Sequence, residues 1–346
     1  MASDFHSAFP IARRMVGPGA PVAVIAEAGV AHFGDPDKAV ALVDLAADAG
    51  ADFFKTQAFV TDALVAPSLP DWRDRLRPKE VDFAFLRRMK DRCEARGIPF
   101  LCTPHDETAL GWCLDLDVPA FKIGSGERGN LPFLRRIAAL GRPVVASVGL
   151  HGEDDVRALI AAVTEGGCRE LALLHCVTSY PTPTEQVHLR AMDRLRQIFP
   201  GPVGYSDHTV GHLACLAAAA RGACLIEKHI TLDFDVPNAQ DWKVSCGPDD
   251  FAAFVRDVRA VDTMLGRPEV VRRDCAAAAE GWAVKCLVAA RDLPAGTILQ
   301  ADMLAAMRAG TGGLAPSEAG PLAGRRLARP LAAGQKLSPD DLAGDP

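Results

Sequence analysis

No apolar run in this 346-residue sequence is long enough to cross a membrane. The longest, CLAAAARGACLI at 215–226, is broken by Arg221 and falls short of the ~20 apolar residues a spanning helix needs. A basic patch is missing too. The formal net charge is −6 with both signs mixed along the chain, which argues against a nucleic-acid binder that neutralises phosphates. A small anionic ligand remains compatible, because a cleft can oppose the global sign. The ten cysteines form no CxxC pair and no zinc-ribbon spacing. Several, such as Cys215 and Cys224, sit in apolar runs, so the expectation is buried, reduced thiols in a cytoplasmic protein. The first residues carry Asp4, His6, Arg13 and Arg14 without an apolar stretch, and no signal peptide is expected there.

What is present is alternation. Short β-rich runs, from VAVIAEAG (22–29) and FFKTQAF (53–59) through VGYSDHT (203–209) to LIEKHIT (225–231), are separated by amphipathic stretches such as DKAVALVDLAADAG (37–50). Near-continuous apolar strands between helices argue for a parallel sheet. Eight units in about 240 residues match a (β/α)8 TIM barrel. An open doubly wound sheet would carry a Gly-rich fingerprint after its first strand, and EAGVAHFG is not one. The strands also end in reactive residues, which a barrel gathers at one mouth. The expected division is an N-terminal extension over 1–20, the barrel over 21–266, a charged, Ala-rich linker over 267–281 and a small, mostly β domain over 282–346. In that last domain Pro294-Ala295-Gly296 and Ala333-Gly334 read as turns.

GYSDHTV (204–210) juxtaposes Ser206, Asp207 and His208, as a hydrolase triad would. Strand alternation opposes that reading: Ser206 and His208 share one face and Asp207 takes the other. His229 ends the next run, and adjacent parallel strands lie ~5 Å apart. Two histidines there could share a metal with open positions, or be unconnected. Lys55 and Lys122 lie in apolar strands where an unpaired charge is costly. With Thr103, Ser125 and Ser147 they suit an anion pocket, while a single Schiff-base lysine is the alternative. Glu27 and Glu127 are candidate general acid/base groups.

Taken in order, IAEAG-VAHFGD, FFKTQAF, KIGSGE, ASVGL, LLHCVTSYPTP, GYSDHT and EKHITLD resemble the N-acetylneuraminate (sialic acid) synthase family. The C-terminal LVAARDLPAGTIL, MRAGTGGLAP and LAGRRLARPLAAGQKL resemble that family's antifreeze-like (SAF) domain. The resemblance implies condensation of phosphoenolpyruvate with an N-acylated mannose-type aldose, giving a nine-carbon 2-keto acid and phosphate. It implies a divalent ion on His208 and His229, manganese first, with magnesium or cobalt as alternatives. It assigns phosphoenolpyruvate to Lys55, Thr103, Lys122, Ser125, Ser147, Ser179, Tyr180 and Ser206. It gives Glu27 and Glu127 proton transfer or sugar contacts, and brings Gln57, Asp241 and Arg308 to the sugar, Arg308 from the partner of a domain-swapped homodimer.

Three departures bear on the sugar: Ala31 precedes His32 where asparagine is usual, PNAQD (237–241) replaces a P-G-P-D segment, and Ala309 follows Arg308 where proline is usual. A 2,4-diacetamido-trideoxy hexose, leading to legionaminic or pseudaminic acid, is therefore the competing acceptor. A synthase using a phosphorylated aldose would need more strand-end arginines than Arg128. A non-catalytic sugar-binding barrel would not need both histidines and both lysines, which are all present.

Overall fold

A computed structural model describes residues 5–344. The chain divides into two compact units, one ending at Gly266 and the other starting at Arg267.

The first unit opens with two short antiparallel strands, β1 (Phe9–Ile11) and β2 (Arg14–Val16). Eight parallel strands follow: β3 (Ala23–Gly29), β4 (Phe53–Ala58), β5 (Phe100–Pro104), β6 (Phe121–Ile123), β7 (Val144–Ser147), β8 (Leu171–Cys176), β9 (Val203–Asp207) and β10 (Leu225–His229). They close in chain order, with β10 pairing back onto β3. The crossovers carry α1 (Pro36–Asp48), α2 (Thr61–Leu64), α3 (Pro70–Leu76), α4 (Phe83–Arg96), α5 (Glu107–Asp115), α6 (Leu131–Ala138), α7 (Glu153–Glu165), α8 (Ala191–Ile198), α9 (Leu213–Ala220) and α10 (Phe251–Leu265). The first shows how the sequence makes them. Asp35 caps α1 by accepting from the Asp37 and Lys38 amides, Pro36 starts it, and Ala39, Leu42, Val43 and Ala46 form its buried stripe.

Strand alternation separates two cores. Side chains such as Val24, Phe54 and Cys102 face the helices. Ala23, Ile25, Phe53, Leu101, Ala120, Val145, Ala172, Leu174 and Leu225 fill the barrel itself. Phe9, Ile11 and Val16 belong to that interior cluster. The stretch expected to be a mere extension is therefore a hairpin that packs into the inner core. Two residues further along the same strands, the inward positions become Glu27, Lys55, Thr103, Lys122, Ser147 and Glu227. An apolar layer thus supports a charged one.

The second unit pairs β11 (Cys286–Ala289) with β12 (Leu304–Met307), antiparallel. Its core is leucine-rich, with Leu287, Leu293, Leu299, Leu322, Leu327, Leu331 and Leu337 all buried. Gly296 and Gly334 have φ of 81° and 76°, as the expected turns require. Residues 267–281, read as a linker, belong to this unit, and their end enters a helix, α11 (Ala277–Ala283). The alanine content that masked any strand pattern there favours a helix. A last helical turn, α12, spans Ala319–Leu322.

Candidate active site

The two lysines of β4 and β6 point into the mouth and are almost wholly buried. Lys55 Nζ lies 2.7 Å from Glu27 Oε2 and 3.7 Å from Glu227 Oε2, and donates to Thr103 Oγ1 at 3.1 Å. Lys122 Nζ donates to Ser147 Oγ at 2.7 Å and lies 3.5 Å from Glu227 Oε1, which also accepts from Ser206 Oγ at 2.9 Å. Burial opposes ionisation of Glu227, yet Lys122 and Lys55 hold its carboxyl at about 2. Glu27 is pushed upward by burial, against the pull of Lys55. Burial acts on Lys55 in the opposite sense, but its two carboxylates outweigh it and keep the ammonium charged. Lys122 faces one carboxylate where Lys55 faces two, and burial pulls its pKa down. The under-compensated positive charge sits at Lys122, so an incoming anion is best received there.

The surroundings of Lys122 suit that role. These groups line a cavity of about 190 Å³ with Ser125, Ser147, Thr178 and Ser206. Ser125 Oγ accepts from the Gly149 amide at 2.8 Å. A Cβ on Gly149 would lie 2.6 Å from Thr178 Oγ1, 2.9 Å from Cys176 Sγ and 3.1 Å from Ser125 Oγ. Only glycine lets these polar groups converge.

His208 and His229 form the opposite side, with ring centroids 5.4 Å apart. The His208 Nδ1–H donates to the Val177 carbonyl at 2.8 Å, leaving Nε2 as the acceptor, 2.9 Å from the Tyr180 hydroxyl. His229 Nδ1 is buried without a hydrogen-bond partner. Burial lowers both imidazole pKa values, that of His229 to about 4. Neutral rings with an oriented Nε2 and an orphaned nitrogen are in the form that ligates metal. Among the described residues no set of three His, Cys, Asp or Glu side chains is arranged as a metal site. A cation here would have two imidazoles and open positions for water or substrate.

The mouth widens into a second cavity of about 820 Å³ that shares Gln57, His105, Thr178 and Tyr180 with the inner one. Its wall is largely apolar, with Phe59, Leu69, Trp72 and Trp242, and also carries Lys79 and Asp241. Gln57 bridges the two, donating to Glu27 Oε1 at 3.0 Å. Of the expected site residues, Glu27, Lys55, Gln57, Thr103, Lys122, Ser125, Ser147, Tyr180, Ser206, His208 and His229 line the inner cavity. Asp241 and Ser179 line the outer one. Ser179 is half-buried, its hydroxyl donating to the Pro181 carbonyl. Glu127 lines neither cavity. It sits half-buried on a turn, accepts from Asn130 Nδ2 at 2.7 Å and is raised by burial. Arg308 lies in the second unit, over the Trp282 ring at 5.9 Å.

The sequence places Glu227 and Thr178 among the reactive strand-end residues without assigning them a role and gives no sign of His105 or Cys176, and all four line the inner cavity. Glu227 was within reach, since it shares the face of His229 two residues on. Cys176 is in phase with the inward Ala172 and Leu174, whereas His105 and Thr178 lie just past strand ends, where pairing no longer fixes direction. The triad reading fails as alternation implied: Asp207 is wholly buried on the helix-facing side and pairs with Lys228 Nζ at 2.6 Å.

Fold and site together define a (β/α)8-barrel protein with a lysine-and-hydroxyl cavity beside a histidine pair at the C-terminal mouth. The chain belongs to the NeuB family, which matches residues 42–270, and carries a SAF domain, matched over 284–343. It is 34% identical to the N,N'-diacetyllegionaminic acid synthase of Legionella pneumophila, over 91% of this chain and 92% of that protein. It is 34% identical to the human N-acetylneuraminate-9-phosphate synthase, over 91% of this chain and 90% of that protein. The crystal structure of the N-acetylneuraminic acid synthetase of Leptospira borgpetersenii, in complex with citrate, superposes with a TM-score of 0.73 at 29% identity, covering 78% of this chain and 93% of that one. No helix among the described residues is long and apolar enough to cross a membrane.

Proposed function

We propose that this protein condenses phosphoenolpyruvate with an N-acylated mannose-type aldose, N-acetylmannosamine in the first instance, to give a nine-carbon 2-keto acid and inorganic phosphate. The observation that carries the reading is the charge layout of the inner cavity. A lysine short of negative partners, ringed by hydroxyls, faces a pair of neutral imidazoles, and the cavity opens into a larger one. The synthase names of the relatives support it.

Lys122, Ser147 and Ser125 would hold the phosphate and carboxylate of phosphoenolpyruvate. The acceptor would lie in the outer cavity with its aldehyde toward the histidines. A divalent ion, manganese first and magnesium or cobalt as alternatives, would be held by His208 and His229 and, when bound, supplies Lewis-acid polarisation of the aldehyde oxygen. Carbon 3 of the enol attacks the aldehyde carbon, and the aldehyde oxygen becomes a hydroxyl on protonation. Water adds to the cationic carbon 2, and the resulting tetrahedral carbon expels phosphate to leave the ketone. Glu27 is the proton carrier in this scheme. Its carboxyl is raised by burial and oriented by Gln57, so it exchanges a proton nearer neutrality than a free carboxyl does. Lys55 stays charged and holds Glu27 in place.

The test is phosphate release from phosphoenolpyruvate across a panel of aldoses, with product mass. Release that requires both a divalent ion and an N-acyl mannose-type sugar is expected, and no release with any such sugar refutes the reading. The apolar wall of the outer cavity favours a second acceptor, a 2,4-diacetamido-trideoxy hexose, whose deoxy positions and second acyl group suit Trp72, Leu69 and Phe59. The same panel separates the two. In this reading a second copy of the chain supplies the exposed Arg308 to the acceptor, making the active species a domain-swapped homodimer. Mixing inactive His208→Ala and Arg308→Ala proteins would then restore turnover.

A further inference from the structure

A buried ion pair stands directly behind the histidine site. In the register of β9 and β10, Glu227 pairs with Ser206 and Lys228 with Asp207. Glu227 and Ser206 meet inside the barrel, while Lys228 and Asp207 meet on its outer face, both side chains 0% exposed. Lys228 Nζ donates to Asp207 Oδ2 at 2.6 Å, to the Thr209 carbonyl at 2.9 Å and to the Gly211 carbonyl at 2.6 Å. An ammonium has three donors, so none is left over. Asp207 Oδ1 accepts from the Tyr205 hydroxyl at 2.8 Å, the Thr209 amide at 3.1 Å and the Thr209 hydroxyl at 2.9 Å. Four of these six bonds reach 209–211, the residues that follow His208.

His208 is held from the other side as well. Its carbonyl accepts from the Thr182 amide at 2.7 Å, and its Nδ1–H donates to the Val177 carbonyl. It stands just beyond the last paired residue of its strand, where the ladder no longer fixes its backbone. A buried ion pair is a poor way to gain stability, because an apolar pair of similar volume is often as stable or more so. What the pair does supply is direction.

We propose that Asp207 and Lys228 are positioning residues for the metal-binding imidazole: they clamp 209–211 from outside the barrel and so fix where His208 Nε2 points. The inference rests on the reading of His208 and His229 as the holders of a divalent cation. Outer partners of metal ligands typically change metal affinity 10–100-fold, and that is the effect expected here. In the proposed reading phosphoenolpyruvate is held by Lys122, Ser125 and Ser147, away from 207–211, so its metal-free affinity is a control that general loosening of the barrel would disturb.

The experiment compares wild type with Asp207→Asn/Lys228→Met, which removes both charges together, by manganese titration followed by electron paramagnetic resonance. Phosphoenolpyruvate binding without metal and thermal unfolding are measured alongside. The expected result is a manganese dissociation constant raised at least tenfold and phosphoenolpyruvate affinity within twofold, in a variant that still unfolds cooperatively well above the assay temperature. Manganese affinity within twofold of wild type in the folded variant overturns the proposal, and so does a matching loss of phosphoenolpyruvate affinity. If the double variant does not fold, Tyr205→Phe and Thr209→Val decide the matter. Each removes one hydroxyl from Asp207, each is expected to weaken manganese at least threefold, and unchanged affinity in both overturns the proposal. A wild-type protein that binds no manganese overturns the metal reading and this inference with it, whereas binding retained by wild type and variants alike refutes this inference alone.

Discussion

Lys55 and Lys122 look alike in the sequence, yet replacing each by methionine is expected to give opposite phenotypes. Lys55 Nζ is 2.7 Å from Glu27 and 3.7 Å from Glu227, whereas Lys122 Nζ faces Glu227 alone, at 3.5 Å. Lys55→Met leaves Glu27 buried without its cation, and breaking a buried pair from one side costs about 3–5 kcal/mol. At roughly 2–4 °C per kcal/mol for a domain of this size, the unfolding temperature falls by about 6–20 °C. Lys122→Met leaves Glu227 with Lys55 and the Ser206 hydroxyl and removes an ammonium that burial disfavours, so stability changes by no more than about 1 kcal/mol. It deletes one or two hydrogen bonds to a charged ligand, worth about 1.5–3 kcal/mol each, so the phosphoenolpyruvate dissociation constant rises at least 10-fold and up to about 150-fold for a single bond.

The pH dependence gives a second handle. A lysine whose folded pKa is depressed binds fewer protons in the folded state than in the unfolded one. Wild type therefore gains stability relative to Lys122→Met as pH rises from the depressed value towards the ordinary 10.5. Thermal unfolding at several pH values and calorimetric titration with phosphoenolpyruvate read all of this. Equal destabilisation of the two variants, or wild-type phosphoenolpyruvate affinity in Lys122→Met, refutes the charge assignment.

Other outcomes are specific. On the proposed metal reading, His208→Ala is expected to abolish manganese binding and metal-dependent turnover with little change in unfolding temperature, as checked by titration and circular dichroism. Gly149→Ala puts a methyl 2.6 Å from Thr178 Oγ1 and is expected to lower phosphoenolpyruvate affinity at least tenfold by calorimetry, because the Ser125 side of the cavity must move. Phe9→Ala removes an inner-core ring that is 1% exposed and costs about 3–5 kcal/mol in denaturant unfolding. His32 is buried, and burial lowers its pKa from 6.5 to about 4. The unfolded state therefore takes up the proton first, and the contribution, complete above pH 6.5, is lost as pH falls towards 4. At 1.36 kcal/mol per unit it amounts to about 3 kcal/mol, and His32→Asn flattens that acid limb in urea titrations.

The barrel was legible because its strands announce themselves twice, by apolar runs and by reactive residues at one end. Alternation then gave the inward set from Glu27 to Ser206 and turned Asp207 away from the mouth. What it could not give lies where strands stop. His105 and Thr178 enter the site from loops, and Glu127, two residues past the inward Ser125, is carried away from the cavity by a short turn. Composition hid the rest. FPIARRMV (9–16) has too few residues and too many charges to read as strands, and its place in the inner core depends on a closed ring that no local pattern announces. The partners of Lys228 are a matter of three-dimensional adjacency between strand and loop, which spacing alone does not encode.

The hairpin that floors the barrel also sets an order of events. Its apolar residues are synthesised before any strand of the ring, but the space that receives them exists only once Leu225–His229 pairs back onto Ala23–Gly29. Phe9, Ile11 and Val16 must wait through the making of almost the whole first unit before they can be shielded from water. A segment made before the ring is thus among the last to reach its final place, and cutting the chain at residue 20, where the sequence pattern suggests a boundary, would leave the ring without its floor.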